Sequence, residues 1–119
     1  MGADARAASF DLADLTGAVL DDACLEDARL CDAILRAVKL RGARLARADL
    51  SRSSLAEAQL AHADLSHAIL AGARFPGADL ARADLHRVRP GADFTGASLD
   101  GARQTDPDRA RAEDFRRTG

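Results

Sequence analysis

Residues 63–85 read ADLSH-AILAG-ARFPG-ADLAR-ADL. Each block carries one large apolar residue in its third place: Leu65, Leu70, Phe75, Leu80 and Leu85. The same spacing runs back without a miss through Leu60, Leu55, Leu50, Leu45, Leu40, Leu35, Leu30, Leu25, Leu20 and Leu15 to Phe10. Two residues before each stands a small one, from Ala8 to Ala83, with Val38 and Ser53 the only departures.

This period excludes the ordinary elements. Five residues of α-helix rotate by about 500°, so side chains five apart scatter around the cylinder and define no apolar face. In a flat strand an odd spacing throws successive leucines to opposite faces. The leucines must still be buried. A chain that turns a corner in every unit does this, pointing each leucine at one axis. Such a chain is a solenoid whose units bury their apolar face only against neighbouring coils. The residue two after the leucine is glycine at Gly17, Gly42, Gly72 and Gly77. A glycine recurring in one phase marks a corner that needs positive φ or close backbone approach. Pro76-Gly77 fills the two central places that a type II turn prefers.

The units Ala48-Asp49-Leu50, Ala63-Asp64-Leu65, Ala78-Asp79-Leu80, Ala83-Asp84-Leu85 and Ala92-Asp93-Phe94 follow the pattern A(D/N)Lxx. With them the chain resembles the pentapeptide-repeat family over residues 8 to 103. The resemblance implies an all-β fold, a right-handed, four-sided parallel β-helix with four pentads per coil and about four to five coils. Charge spacing alone leaves the number of sides open. Asp21 and Arg41, Asp27 and Arg47, Arg29 and Asp49, and Asp32 and Arg52 stand 20 apart, but opposite charges 25 apart are at least as common.

The chain has 119 residues, enough for one domain, with 47% hydrophobic residues but only 3% aromatic and no Trp or Tyr. A narrow tube filled by stacked leucines needs no aromatic core. The net charge of −2 demands no strongly charged partner. No run of about 20 apolar residues offers a membrane span. The first residues lack the apolar core of a secretory signal. A cytoplasmic location is expected, and the Ala, Arg and Asp bias suggests a GC-rich bacterial genome. Cys24 and Cys31 hold different outward phases with no His nearby, which argues against a zinc site.

In chain order, residues 1–7 read as a lead-in or degenerate first unit, 8–104 as the β-helix and 105–119 as a tail. Residues 1–35 carry eight acidic against two basic residues, a balance of −6; residues 36–60 carry six basic against two acidic, a balance of +4. An acidic coil thus lies against a basic one. Asp21, Asp22, Glu26, Asp27 and Asp32 and Arg36, Arg41, Arg44 and Arg47 are read first as a solvated, ion-paired wall. They are also the candidate partner-binding residues, together with Pro90 and Phe115. His62 and His67 repeat one phase and fall at adjacent corners, a full side of the tube apart. His86 reads as isolated, and no metal ligand set is expected. Between Leu85 and Phe94 stand nine residues of spacing where ten were due, and Pro90 falls where a leucine belongs. Such a break marks a turn or loop. The plugs Phe94 and Leu99 follow. A helix is expected over about 106–117, capped by Thr105 or Asp106 with Pro107 in its first turn. Phe115 would fold over the last coil, or dock on a second molecule.

No nucleophile elbow, phosphate-binding loop, dinucleotide fingerprint or zinc spacing appears. Ser51, Ser53, Ser54 and Ser66 have no organised base. No catalytic residue, cofactor-binding residue or cofactor is expected, and the chain reads as a non-enzyme. The leading expectation is an interaction or scaffold module for a protein partner, monomeric or dimeric through a terminus, with no direct nucleic-acid contact. The resemblance implies an alternative. Some pentapeptide-repeat proteins mimic DNA and bind or protect a type II topoisomerase, DNA gyrase, giving quinolone or toxin resistance. The near-neutral charge, the Arg-rich second coil and the shortness of this chain depart from that pattern.

Overall fold

Parallel bridges between residues 20 apart define the architecture. In this computed structural model, which describes residues 4–89, 91–104 and 113, the first wall is the ladder Asp4, Cys24, Arg44, Asp64, Asp84 and Arg103. The second wall stacks Ser9, Arg29, Asp49 and Ile69, the third starts at Asp14, and the fourth at Val19. Twenty residues per coil, divided into pentads, make four sides. Residues 4–7 already stand in register, for Ala5 N–H donates to Cys24 O at 2.8 Å.

The backbone of each pentad is satisfied in a fixed way. The plug donates forward to the next coil, as Leu45 N–H does to Asp64 O at 2.7 Å. The residue before the plug donates back, as Asp64 N–H does to Ala43 O at 2.9 Å. The small residue closes the corner, as Ala48 N–H does to Leu45 O at 3.0 Å. That last bond spans a four-residue turn. Every residue two after a plug, from Ala7 to Arg87, has φ between 54° and 72°. This is the left-handed conformation of the third residue of a type II turn. The glycine phase seen in the sequence is therefore the corner phase, but Asp, Arg, Glu, His, Ala and Leu12 adopt it as well.

The aspartate before the plug also has a backbone role. Its carboxylate accepts from the N–H two residues on: Asp14 from Thr16, Asp49 from Ser51, Asp64 from Ser66, Asp79 from Ala81, Asp84 from His86 and Asp93 from Thr95, at 2.9–3.0 Å. That corner N–H has no partner in the ladder, and an unpaired backbone donor is costly to leave. At two of the units that lack the aspartate, an acid on the coil below takes its place. Asp11 accepts from Cys31 N–H and Asp21 from Arg41 N–H, both at 2.9 Å.

The plugs from Leu25 to Leu85 are buried with their small partners in one continuous core. Phe10, Leu15, Leu20, Phe94 and Leu99 are partly buried and pack against it. The phase break is a one-residue shortening of a corner. Through Arg89 the register is regular, since Arg89 N–H donates to Ala68 O at 3.0 Å. From Arg74↔Asp93 onward the bridges are 19 apart. Gly91 alone spans what Ala71-Gly72 spans one coil below, with φ of 113°, and a Cβ there would lie 3.2 Å from Ala71 Cα. The shortening sets Phe94 on Phe75, with ring centroids 4.8 Å apart. Pro90 and Phe115 lie outside the described residues. So does the helix expected over 106–117, apart from Glu113.

Two outcomes follow from this packing. Leu55→Ala should cost about 2–5 kcal/mol of stability and Leu15→Ala clearly less, because only Leu55 leaves a closed cavity; urea unfolding of the two variants reads the difference. Gly91→Ala should cost more, about 1–3 kcal/mol, than Gly17→Ala, whose added Cβ meets nothing within 4 Å. Equal losses for the two glycine variants would contradict the one-residue corner.

Candidate functional site

The corner between the first and second walls gathers most of the interacting charge. Its column holds Asp27, Arg47, His67 and Arg87 in the left-handed position, with Glu26 and His86 beside them. Arg44 and Arg47 reach Glu26 at 3.1 and 3.3 Å, and Arg47 Nε meets Asp27 at 3.0 Å. The bond from Arg47 holds the Asp27 carboxyl below its ordinary range and raises Arg47 in turn. Above this cluster opens a recess of about 430 Å³ lined by Arg47, His67, Ile69, Arg87 and Arg89.

The remaining candidate residues are spread around the tube rather than collected on one face. Arg52 pairs with Asp32 at 3.0 Å across the second corner. Arg36 approaches Glu57 at 3.8 Å across the third. Asp21, Asp22 and Arg41 stand at the fourth, where Asp21 is occupied by the Arg41 backbone. Arg29 turns to Asp11, at 3.1 Å, instead of Asp49. These charged side chains are largely exposed, so each pair contributes little to stability. Cys31 is buried and Cys24 half-buried, and both are free thiols. Burial pushes the Cys31 thiol up to about 11, with a contribution from the neighbouring Asp49 carboxylate.

His86 requires a correction. It is not isolated. It sits one coil above His67 at the same corner, with the rings 5.4 Å apart in a T-shaped arrangement. His67 Nε2 lies 3.0 Å from one carboxylate oxygen of Glu113 and His86 Nε2 2.8 Å from the other. Hydrogen bonds from His86 and then His67 hold the Glu113 carboxyl down at about 2. Reading within pentads hid this group: residues 67 and 86 occupy different places in their units, and Glu113 arrives from a segment outside the repeat. His62 stands at another corner, as its phase requires.

The family model for pentapeptide repeats matches in eight copies over residues 1–36, 33–70 and 58–89. The chain belongs to the pentapeptide-repeat family. A crystal structure of a pentapeptide repeat protein from Nostoc PCC 7120 is 32% identical, with a TM-score of 0.76 over 86% of this chain and 84% of that one. Rfr23 from the cyanobacterium Cyanothece 51142 is 22% identical, with a TM-score of 0.84 over 87% and 85%. A protein of the Arabidopsis thaliana thylakoid lumen is 26% identical, with a TM-score of 0.69 over 91% and 75%. These relatives share the right-handed β-helix. The search of curated proteins returns no match.

The carboxylates give the fold an acid limit. Bonds from Thr16, Arg47 and Thr95 depress Asp14, Asp27 and Asp93 respectively. Their folded values lie below the unfolded value of about 3.9, so their stabilisation is complete above that pH and is lost as pH falls through the depressed values. Urea unfolding should show stability falling below about pH 4, and the paired substitution Asp14→Asn and Asp93→Asn should flatten that slope.

Proposed function

We propose that this chain is a non-catalytic interaction module that binds a protein partner on the outer surface of its β-helix. The observation that carries the reading is the placement of apolar side chains. The axis is filled by buried leucines, yet Leu12, Val19 and Ile34 are 77%, 68% and 45% exposed. All three belong to the first two coils: Leu12 at the corner before the third wall, Ile34 on that wall and Val19 on the fourth. Large apolar side chains left in water on an otherwise charged surface suit a protein contact.

The non-catalytic part of the reading is supported by how the polar groups are used. The Ser53 hydroxyl donates to the Leu50 carbonyl, and the Ser51 hydroxyl donates to the same Asp49 oxygen that accepts from the Ser51 N–H, so both are spent on the local turn. A cytoplasmic location is part of the same reading, supported by the free thiols of Cys24 and Cys31. The alternative is imitation of DNA toward a type II topoisomerase. It needs an unbroken acidic track, and here Glu26, Asp27 and Asp32 each meet an arginine.

Affinity capture from the native cells tests the reading. The full chain should recover a specific protein, and the variant Leu12→Ser with Val19→Ser should recover at least tenfold less while melting as the parent does. Unchanged recovery, or no specific protein, would refute it. Inhibition of gyrase supercoiling by the full chain would transfer the assignment to DNA mimicry.

A further inference from the structure

We propose that His67, His86 and Glu113 bind a divalent transition-metal ion of the zinc class, fastening the C-terminal segment to the corner between the first and second walls. This inference is independent of the interaction reading. One ring nitrogen from each histidine and one carboxylate oxygen all lie within 4.8 Å of one another. Around a tetrahedral zinc such atoms stand about 3.4 Å apart. The widest separation therefore needs to close by at most about 1.4 Å, while the histidine–carboxylate contacts at 3.0 and 2.8 Å open slightly.

The two histidines are fixed before any ion arrives. His67 N–H donates to His86 O at 2.8 Å, and His86 N–H donates to Asp84 at 3.0 Å. The His86 ring is 1% exposed, an extent of burial that few histidines reach without a specific role for the ring nitrogens. The rings are inclined at 79°, so their nitrogens approach the carboxylate from different directions, as ligands of one ion must. Imidazole with carboxylate selects zinc-like ions over magnesium or calcium.

The surroundings fit the same role. Arg87 Nε, 3.8 Å from Glu113 Oε1, stands where an outer partner of a ligating carboxylate would stand. Arg47 is already neutralised by Glu26 and Asp27, so its charge does not oppose the ion. The adjoining recess leaves room for a solvent molecule as fourth ligand. Without the ion, each Nε2–H donates to the Glu113 carboxylate. Ligation displaces that hydrogen, each ligating ring then carries its single hydrogen on Nδ1, and any surplus proton passes to solvent.

The test uses the full chain freed of metal with a chelator. Isothermal titration with Zn²⁺ should show one ion per chain, and Co²⁺ should give the visible absorption of a four-coordinate site. Mg²⁺ should not bind. His67→Gln and Glu113→Gln alter half-buried side chains at the surface, and each should weaken Zn²⁺ binding at least tenfold and abolish the Co²⁺ spectrum. Absence of saturable Zn²⁺ binding overturns the proposal. So does parental affinity in either variant, which would place the ion elsewhere, for example on Cys24 or Cys31.

Discussion

The structure depends on a left-handed residue at every corner. Without that residue the chain cannot turn within five positions, and the plugs cannot all face one axis. L-residues in this conformation cost of order 1 kcal/mol each, and most corners here are not glycine. The compensation comes from the regular bonding of each pentad: two bonds to the coil above, one to the coil below and one across the corner. Leu45 shows the arrangement, donating to Asp64 O and accepting from Ala48 N–H while its side chain is wholly buried. Strain is thus spread thinly along the tube and offset coil by coil.

The same bonding explains why the repeat is written with an aspartate. Ala faces inward where there is room for a small side chain, Leu fills the axis, and Asp reaches the one corner N–H that the ladder leaves without a partner. The acids are therefore first a backbone device. Only those in the corner positions, such as Glu26, Asp27 and Asp32, are available to cross-coil arginines. This division of labour also limits what the surface can present. An acid tied to a backbone N–H or to an arginine is poorly placed to imitate a phosphate.

Much of the fold could be read from the five-residue spacing, and the corner phase from Gly17, Gly42, Gly72 and Gly77. The number of sides could not, for a physical reason. Long arginine side chains reach diagonally, so the observed ion pairs are 18, 20 and 21 residues apart, as in Arg44–Glu26, Arg52–Asp32 and Arg36–Glu57. Such scatter blurs any charge period. The shortened corner was visible as a lost residue, but not that Gly91 spans it alone and brings Phe94 onto Phe75. The histidine and glutamate group was hidden more completely. His67 and His86 stack on adjacent coils at one corner, 19 residues apart like other corner residues and their acceptors one coil on, an offset that is legible only once the coil length is known. Glu113 joins them from beyond the repeat, where no period applies.

The most direct measurement of the central claim is the detection of backbone hydrogen bonds by through-bond NMR couplings between amide nitrogen and carbonyl carbon. The 20-residue coil requires a coupling from Leu45 N to the Asp64 carbonyl and one from Asp64 N to the Ala43 carbonyl, with the same offsets repeated along residues 5–65 and a forward offset one residue shorter at Phe75, Leu80 and Leu85. Couplings four residues apart, or offsets belonging to a 25-residue coil, would contradict the four-sided tube and everything built on its corners.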